Sequence, residues 1–323
     1  MIDEILPNLY RIEVPLPDNP LKAINSYVVK ARGRSLIIDT GMNRPECLSA
    51  ISSGLKEIDV DPKKAEFFVT HYHADHSGLV SSLAADASTI YFSQADAAIL
   101  NQVSSWLEKQ SYFARMHGFP EDELQRAVKS HPGLRYISRG RLDFLLVKEG
   151  DTINIADYAF ECIETPGHTR GHMCLYEADK KLFISGDHIL GDITPNISAW
   201  SDEENRLNQY LISLDKVHDL DVELVLPGHR GYFKNFRERI QQLKSHHQVR
   251  ADEVLLILQK GSKNAFQVAS EMSWDMTYRT WALFPSMQKW FATGEAIAHL
   301  RYLEEKGKVR REVEGKKIVF LLR

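Results

Sequence analysis

Four side chains that can bind a metal ion occur within six residues of this sequence, in the segment His71-Tyr-His73-Ala-Asp75-His76. Imidazole nitrogens and carboxylate oxygens are common protein ligands of zinc and similar divalent metals. Because side chains alternate along an extended segment, His71 and His73 point to one side of the chain and can bind one metal as a pair. Asp75 and His76 fall on the turn that follows, where they could hold a second metal. The segment therefore predicts a metal site.

Three later segments offer further ligands of the same type. Each is a ligand residue beside glycine at the end of an apolar strand: His168 follows a Pro-Gly pair, and Asp187 and His229 each follow a glycine. Glycine permits close approach of the backbone. In a layered α/β sheet the strand ends meet at one rim, where ligand sites form. Four separate segments thus predict one shared metal centre, a pattern that scattered ordinary histidines explain poorly.

The order of these motifs, together with Asp39-Thr-Gly41, resembles that of the metallo-β-lactamase-fold hydrolase superfamily over about residues 5–232. The resemblance implies an α/β fold of the four-layer αβ/βα sandwich type and a centre of two metals. It implies that the first metal is bound by His71, His73 and His168. The second metal would be bound by Asp75, His76 and His229, and Asp187 would bridge both metals. Asp39 would orient the ligands, a support that metal sites need.

The chemistry that the resemblance implies is hydrolysis by two divalent ions, with zinc favoured and iron or manganese as alternatives. Such ions lower the pKa of a shared water toward about 7, so that a bridging hydroxide forms at neutral pH and attacks the substrate carbonyl. Asp187 would take part as the bridging ligand. Asp75 is the expected proton shuttle, since its carboxylate can accept a hydrogen bond from that water as well as bind metal. No serine stands in a Gly-x-Ser-x-Gly setting, so no serine nucleophile is expected.

Two further residues lie close to the ligands in sequence. His172 stands four residues after His168, and it either hydrogen-bonds a substrate oxygen or supports the ligands from behind. Arg230 directly follows His229, at a position where the lactamase-beta-like branch of the superfamily commonly has glycine. The arginine would place a cation near the second metal.

The pattern of strands and helices predicts the framework that positions these residues. Strand-like and helix-like segments alternate early in the chain, which indicates a layered α/β catalytic domain over residues 1–235. Helix-like spacing predicts a helical insertion over residues 93–135. We expect its helices to bury their own apolar face, with a lid over the metal centre as the alternative. Residues 236–323 predict a helical linker and a small module similar to the winged-helix tail of the lactamase-beta-like branch.

Composition limits the classes of function. The 323 residues are 43% apolar and 26% charged, as in ordinary globular proteins, and no segment approaches the roughly 18 apolar residues of a membrane span. The basic and acidic residues nearly balance, with a net charge of −4, so the charge does not indicate a nucleic-acid-binding protein. It divides into −8 for residues 1–249 and +4 for residues 250–323, so a nucleic-acid role of the tail stays open. Three cysteines without a close pair, and no signal peptide at the N-terminus, predict a cytoplasmic protein.

These observations favour a small-molecule ester or thioester as the substrate, as in glyoxalase II-like and acyl-carrier thioesterase-like relatives. The main alternative is an endoribonuclease or phosphodiesterase that uses the tail to bind RNA. Only 41 residues separate Asp187 from His229, however, too few for the large cap domain of nucleic-acid-processing relatives. The acidic catalytic part also disfavours a polyanion.

Three further functions have weaker support in the sequence. β-Lactam hydrolysis is disfavoured because no export signal is present, and redox chemistry because His73 stands where flavo-diiron relatives carry a carboxylate. A non-catalytic winged-helix regulator would predict missing metal ligands, and all seven are present. A homodimer stays open as the oligomeric state.

Overall fold

The computed structural model of the protein describes residues 1–138, 140, 142–275 and 278–323. The chain divides into two units, each assembled from three separate segments. The first unit consists of residues 1–102, 132–195 and 216–239, and the second of residues 103–131, 196–215 and 240–323. Most of the expected insertion, residues 103–131, therefore belongs to the second unit.

A seven-stranded mixed sheet forms one half of the first unit. Its strands lie in chain order: β1 Ile2–Leu6, β2 Leu9–Pro15, β3 Ala23–Ala31, β4 Arg34–Ile38, β5 Glu66–Phe68, β6 Ile90–Ser93 and β7 Leu145–Val147. The strands β1 to β4 pair antiparallel, whereas β4 to β7 pair parallel. The parallel pairing brings the C-terminal ends of β4 and β5 to the same edge. Asp39 follows the first of these strands, and the segment 71–76 follows the second.

A five-stranded sheet forms the other half of this unit. Its strands are β8 Thr152–Ile155, β9 Tyr158–Glu164, β10 Met173–Glu177, β11 Leu182–Gly186 and β12 Leu224–Pro227. Their order across the sheet is β12-β11-β10-β9-β8, and only the pair β11 and β12 is parallel. Every residue of β10 and β11 is buried, as expected for central strands covered on both faces. Asp187 and His229 follow β11 and β12.

Helices are present in the regions where the sequence predicts them, including residues 93–135 and 236–323. In the described part of the chain they are, in order, α1 Pro45–Glu57, α2 Ala74–Ser77, α3 Val80–Leu83, α4 Gln94–Leu100, α5 Val103–Met116, α6 Glu121–Ser130, α7 Pro132–Arg135, α8 Arg206–His218, α9 Phe236–Leu258, α10 Ala265–Glu271 and α11 Ser286–Glu305. Two short 3-10 segments cover Pro62–Lys64 and Trp281–Leu283. α1 begins at Pro45, since the fixed φ of proline suits the first helical turn.

Apolar side chains of the two sheets pack face to face. Their shared core includes Leu36 and Phe68 from the first sheet and Phe160, Leu175 and Ile184 from the second. A separate core lies on the other face of the first sheet and includes side chains of α1. The expected α/β sandwich, with sheets inside and helices outside, is confirmed for this unit.

The insertion buries its apolar face against a helix near the other end of the sequence. Trp290 of α11 is 1% exposed and shares a core with Leu107, Phe119 and Leu124. The rings of Phe119 and Trp290 meet edge to face with 5.8 Å between their centroids. The predicted helices are therefore present, and two of them, α5 and α6, pack with α11 as well as with each other. Local periodicity cannot reveal a partner so distant in sequence, and the domain boundary at residue 235 stays a prediction.

The chain ends in a helix-rich module with a hairpin. α10 and α11 are followed by β13 Val309–Glu314 and β14 Lys317–Leu322, which pair antiparallel. Phe320 is fully buried, and its backbone pairs with Lys263 beside α10. The predicted helices and strands are present, whereas the identification of the module as a winged helix stays a prediction. Among the described residues, no helix has the length and apolar character needed to cross a lipid bilayer.

Candidate metal centre

The segment after β5 changes from an extended chain to a helix in the middle of the ligand motif. His73 has extended backbone angles and occupies the N-cap position of α2, so Asp75 and His76 lie within this short helix. The backbone N–H groups of His76 and Ser77 both donate to the carbonyl oxygen of His73. The motif is therefore split into an extended part and a helical part, as the spacing of the ligands predicts.

Three imidazoles form a first ligand group. Nδ1 of His73 lies 3.0 Å from Nε2 of His71 and 3.0 Å from Nε2 of His168. Zinc–nitrogen bonds of about 2.0–2.1 Å in tetrahedral geometry place neighbouring ligand nitrogens roughly 3.3 Å apart. The three nitrogens are thus spaced as ligands of one ion are.

A second ligand group contains Asp75, His76 and His229, whose ligand atoms all lie within 4.8 Å of one another. Oδ2 of Asp75 is 3.5 Å from Nε2 of His229. Asp187 lies between the two groups: its carboxylate is 3.5 Å from Nε2 of His76 and of His229, and 3.6 Å from Nε2 of His168. The structure therefore brings together all seven ligands that the sequence predicts.

Several of these polar atoms have no hydrogen-bond partner, although they are buried. Among the described residues, Nε2 of His76, Nε2 of His229 and Oδ1 of Asp187 are in this state. Buried polar atoms are normally paired, because an unpaired one costs free energy. Nitrogen and carboxylate lone pairs that converge in one place fit a divalent cation. The residues present thus suit the metal centre that the motif predicts.

Asp39 contacts His76 of the second group at the ring nitrogen that points away from the site. Its Oδ2 lies 2.7 Å from Nδ1 of His76, and its Oδ1 accepts a hydrogen bond of 2.9 Å from the backbone N–H of Thr70. A carboxylate on Nδ1 fixes the ring so that Nε2 faces the metal site. The carbonyl oxygen of Ala23 holds the ring of His229 in the same manner, at 2.7 Å from Nδ1.

His172 contacts the backbone of the predicted ligand Asp187. Its Nε2 accepts a hydrogen bond of 3.1 Å from the backbone N–H of Asp187, and its Nδ1 lies 2.8 Å from the hydroxyl of Thr165. Both ring nitrogens are therefore occupied within the protein, and the ring is fully buried. This geometry favours the supporting role over contact with a substrate oxygen.

Arg230 adopts the left-handed backbone conformation, with φ of 69°. Its guanidinium donates a hydrogen bond of 3.2 Å to the carbonyl oxygen of Pro20, and its own carbonyl oxygen accepts one of 2.8 Å from Asn25. This left-handed conformation is strained for residues other than glycine, so the backbone at Arg230 is one that glycine would adopt more easily.

Two supporting residues were not predicted from the sequence. Thr70 links Asp39 to the ligands, since its hydroxyl donates to that carboxylate at 2.8 Å and lies 3.0 Å from Nδ1 of His71. Asp96 is fully buried and accepts hydrogen bonds from the two loops that carry His71 and His168. The only local signal for Asp96 is the pattern Ser-x-x-Asp at the start of α4, which indicates a helix start and not a metal site.

Charges within the site favour metal binding. Burial lowers the pKa of His71 and His73 well below the usual range, and neighbouring imidazoles lower both further. Burial opposes ionisation of Asp187, but the facing rings of His229 and His76 outweigh it and hold the pKa of Asp187 well below its usual range. Burial also opposes ionisation of Asp75, yet the contact with His229 lowers its pKa to about 2. Neutral imidazoles and ionised carboxylates are the forms that bind metals.

The carboxylates of the site raise the pKa of two imidazole rings, those of His76 and His229. Burial by itself lowers the pKa of His76, but Asp39 and Asp187 outweigh it and hold that pKa well above the usual range. Against the same effect of burial, Asp187 and Asp75 raise the pKa of His229 to about 10. Both rings therefore carry a proton at neutral pH when no metal is bound.

Metal binding to the metal-free protein is expected to release protons and to weaken as the pH falls. Protons compete with the metal for His76 and His229, so each pH unit below their pKa values lowers the affinity about tenfold for every proton displaced. Calorimetric titration of zinc in two buffers with different ionisation enthalpies counts the released protons. Binding without proton release at neutral pH would contradict this prediction.

The chain is similar to known protein families and to individual relatives. Residues 20–229 match the profile of the Metallo-beta-lactamase superfamily, and residues 281–320 match that of the Metallo-beta-lactamase-like C-terminal domain. Human Acyl-coenzyme A thioesterase MBLAC2 is 28% identical over 238 residues, which cover 69% of this chain and 78% of the human protein. The Atrochrysone carboxyl ACP thioesterase of Emericella nidulans is 23% identical over 319 residues, which cover 97% of this chain and 84% of the fungal protein.

The fold is also similar to that of a solved structure over nearly the whole chain. A metallo-beta-lactamase family protein from Thermus thermophilus, TTHA1429, superposes with a TM-score of 0.84 and 28% sequence identity, covering 99% of this chain and 100% of that one. The family match covers the segments that carry all seven predicted ligands. The chain therefore belongs to the metallo-beta-lactamase superfamily and is a hydrolase of that superfamily.

Proposed function

We propose that the protein hydrolyses the thioester bond of small acylated carriers such as acyl-coenzyme A, with two divalent metal ions as cofactors. The observation that carries the proposal is the convergence of seven ligand side chains into two adjoining groups. Relatives named as acyl-coenzyme A and acyl-carrier-protein thioesterases support the choice of substrate class.

The ligand groups suggest how the work is divided. His71, His73 and His168 would hold one ion, and Asp187 would lie between that ion and the other. The remaining ligands, Asp75, His76 and His229, would hold the second ion. Bound divalent ions lower the pKa of water toward about 7 and polarise the carbonyl oxygen under attack. Zinc is the metal that we propose, because imidazoles outnumber carboxylates in the set, with iron or manganese as alternatives.

The cysteines of the chain support water as the nucleophile. Cys47, Cys162 and Cys174 are all free and buried. Burial raises the pKa of Cys162 and of Cys174 to about 12, so neither thiol is ionised at neutral pH. Because the thiolate is the reactive form, a covalent cysteine intermediate is disfavoured. Free thiols also favour the cytoplasm as the compartment that we propose.

Asp75 is the residue that we propose to hold the proton during the reaction. Its side chain is 13% exposed, whereas that of the neighbouring His229 is fully buried, so water can reach Asp75 more easily. Asp75→Asn is expected to lower kcat by about 10²- to 10⁴-fold, the usual contribution of general acid–base catalysis, with a smaller effect on KM. Steady-state kinetics together with metal analysis of the purified variant checks this. A variant that keeps both metals and full turnover would exclude Asp75 as the shuttle.

Ribonuclease activity is less well supported by the tail of the chain. Arg310 forms an ion pair with Glu312. Arg311 pairs with Glu304 at 2.9 Å and with Asp202 at 2.5 Å. Guanidinium groups that are already paired gain less from binding phosphates, since the existing ion pairs must first be broken. The basic surface of the terminal hairpin is therefore weaker than its lysine and arginine content suggests.

A panel of substrates tests the proposed function. The purified protein is assayed against acyl-coenzyme A, acyl-glutathione, a lactone and single-stranded RNA, with and without a chelator, and its metal content is measured. We expect thioester hydrolysis that the chelator abolishes and added zinc restores. Cleavage of RNA without cleavage of any thioester would refute the proposal in favour of the ribonuclease.

A further inference from the structure

The carboxyl group of Asp96 joins the two loops that supply the first ligand group. Its Oδ2 accepts hydrogen bonds of 3.0 Å from the backbone N–H of Tyr72 and of 2.7 Å from the hydroxyl of Thr169. Its Oδ1 accepts a hydrogen bond of 2.7 Å from the backbone N–H of Gly171. A buried carboxylate with three donors is a strong and well-defined anchor.

The three donors are placed beside metal ligands. Tyr72 lies between His71 and His73 in sequence, and Thr169 directly follows His168. The same carboxyl group therefore sets the distance between the two loops whose nitrogens form the first group. Asp39, by contrast, contacts His76 directly, and His76 belongs to the second group.

The loop that carries His168 packs closely against Asp96 and Ser93 at Gly171. A Cβ atom at Gly171 would overlap the hydroxyl of Ser93 and would lie 2.8 Å from both the backbone nitrogen and Oδ1 of Asp96. Only glycine permits this approach. The loop that carries His168 is thus held against the start of α4 by close packing as well as by hydrogen bonds.

We propose that Asp96 is the positioning residue of the first ligand group: it holds the loops of residues 71–73 and 168–171 in register before metal binds. Without Asp96, metal binding itself would have to order these loops. The free energy needed for this ordering would weaken the affinity for the metal. The effect is selective, because the donors of Asp96 adjoin the first group. Asp96 contacts neither metal nor substrate. This inference rests on the proposed metal-dependent function.

The test compares Asp96→Asn with Ser93→Ala. The asparagine keeps the size of the side chain but presents an amide NH2 where one carboxylate oxygen now accepts hydrogen bonds. The control removes the hydroxyl that caps α4 at the backbone N–H of Asp96, at 3.4 Å, and leaves the hydrogen bonds from the Asp96 carboxylate to both loops in place. Thr169→Val removes one of the three hydrogen bonds without a change of shape, and it serves as a milder variant if Asp96→Asn does not fold.

Zinc binding to the metal-free proteins is the first measurement. We expect Asp96→Asn to weaken one of two binding events by about 10- to 100-fold, as loss of a residue that supports a ligand typically does, and to leave the other unchanged. Thr169→Val should weaken the same event by less, and Ser93→Ala should change neither. Wild-type affinity in both Asp96→Asn and Thr169→Val, or an equal loss in Ser93→Ala, would overturn the inference.

Hydrogen exchange in the metal-free proteins is the second measurement, and it does not depend on metal or substrate. Asp96→Asn, or Thr169→Val in its place, should speed exchange in residues 71–78 and 166–172, and Ser93→Ala should not. Unchanged exchange in these two segments would also overturn the inference. Suppose that the wild-type protein binds no metal while hydrogen exchange in the variants changes as expected. That result would refute the proposed function but support the role of Asp96 in ordering the two loops.

Discussion

Replacement of Asp187 by asparagine is expected to reduce thioester hydrolysis about a thousandfold or more and to lower the metal content of the purified protein. The carboxylate lies 3.5 to 3.6 Å from imidazole nitrogens of both ligand groups, so the neutral amide removes a negative charge that both groups share. Metal ions contribute several kcal/mol of transition-state stabilisation, and about 4 kcal/mol corresponds to three orders of magnitude in rate. Values of kcat/KM and elemental analysis by mass spectrometry measure the two effects.

Asp179→Asn is the matched control for this substitution. Asp179 lies exposed in the turn between β10 and β11, two strands of the same sheet. The same chemical change at this position should leave metal content and kcat/KM at wild-type values. If Asp187→Asn also retained both metals and full activity, the position of Asp187 between the two groups would have no functional meaning.

Gly228→Ala, which adds a methyl group at this position, is expected to reduce the rate of hydrolysis nearly as much as the loss of a metal ligand. A Cβ atom on Gly228 would lie 2.6 Å from Oδ1 of Asp187 and 2.8 Å from Cε1 of His76. The backbone there is held by hydrogen bonds of 2.8 Å to Gly186 and 2.7 Å from Asn25, so the ligands must move instead. Displacement of reacting groups by about 1 Å can cost 10²-fold in rate, which is the loss that we expect for Gly228→Ala.

Gly231→Ala separates this steric effect from a general effect of alanine in the loop. A Cβ atom at Gly231, three residues further along, has no neighbour within 4 Å. We therefore expect this variant to keep wild-type metal content and kcat/KM. Equal losses in the two variants would point to the flexibility of the loop, and not to the contact with Asp187 and His76, as the cause.

The side chains that converge in the candidate metal centre could be identified from the sequence because each belongs to a local pattern. The segment 71–76 directly follows a short buried strand, and His229 stands beside a glycine at the end of another. Strands that run parallel within a sheet end at one edge, so local patterns at their ends were enough to predict one site. The structure adds the distances and the placement of Asp187 between the groups.

Asp96 could not be predicted in this way because its local pattern has another explanation. The hydroxyl of Ser93 caps the backbone N–H of Asp96, and this arrangement accounts for both residues as a helix start. Its contacts with Tyr72 and Gly171 depend on how three separate segments meet in space. The same limit applies to Trp290, whose partners in the insertion cannot be inferred from the periodicity of either segment.

The interleaving of segments also has a consequence for how the chain acquires its structure during synthesis. Trp290 follows Phe119 by 171 residues, yet both belong to one core in the second unit. At roughly 5 to 20 residues per second, a ribosome needs on the order of ten to thirty seconds to add that length of chain. During this interval the apolar side chains of α5 and α6 lack their partner, although both sheets of the first unit become complete in sequence before it ends. The nascent chain thus exposes these two helices throughout this interval, and a chaperone that covers them would reduce aggregation.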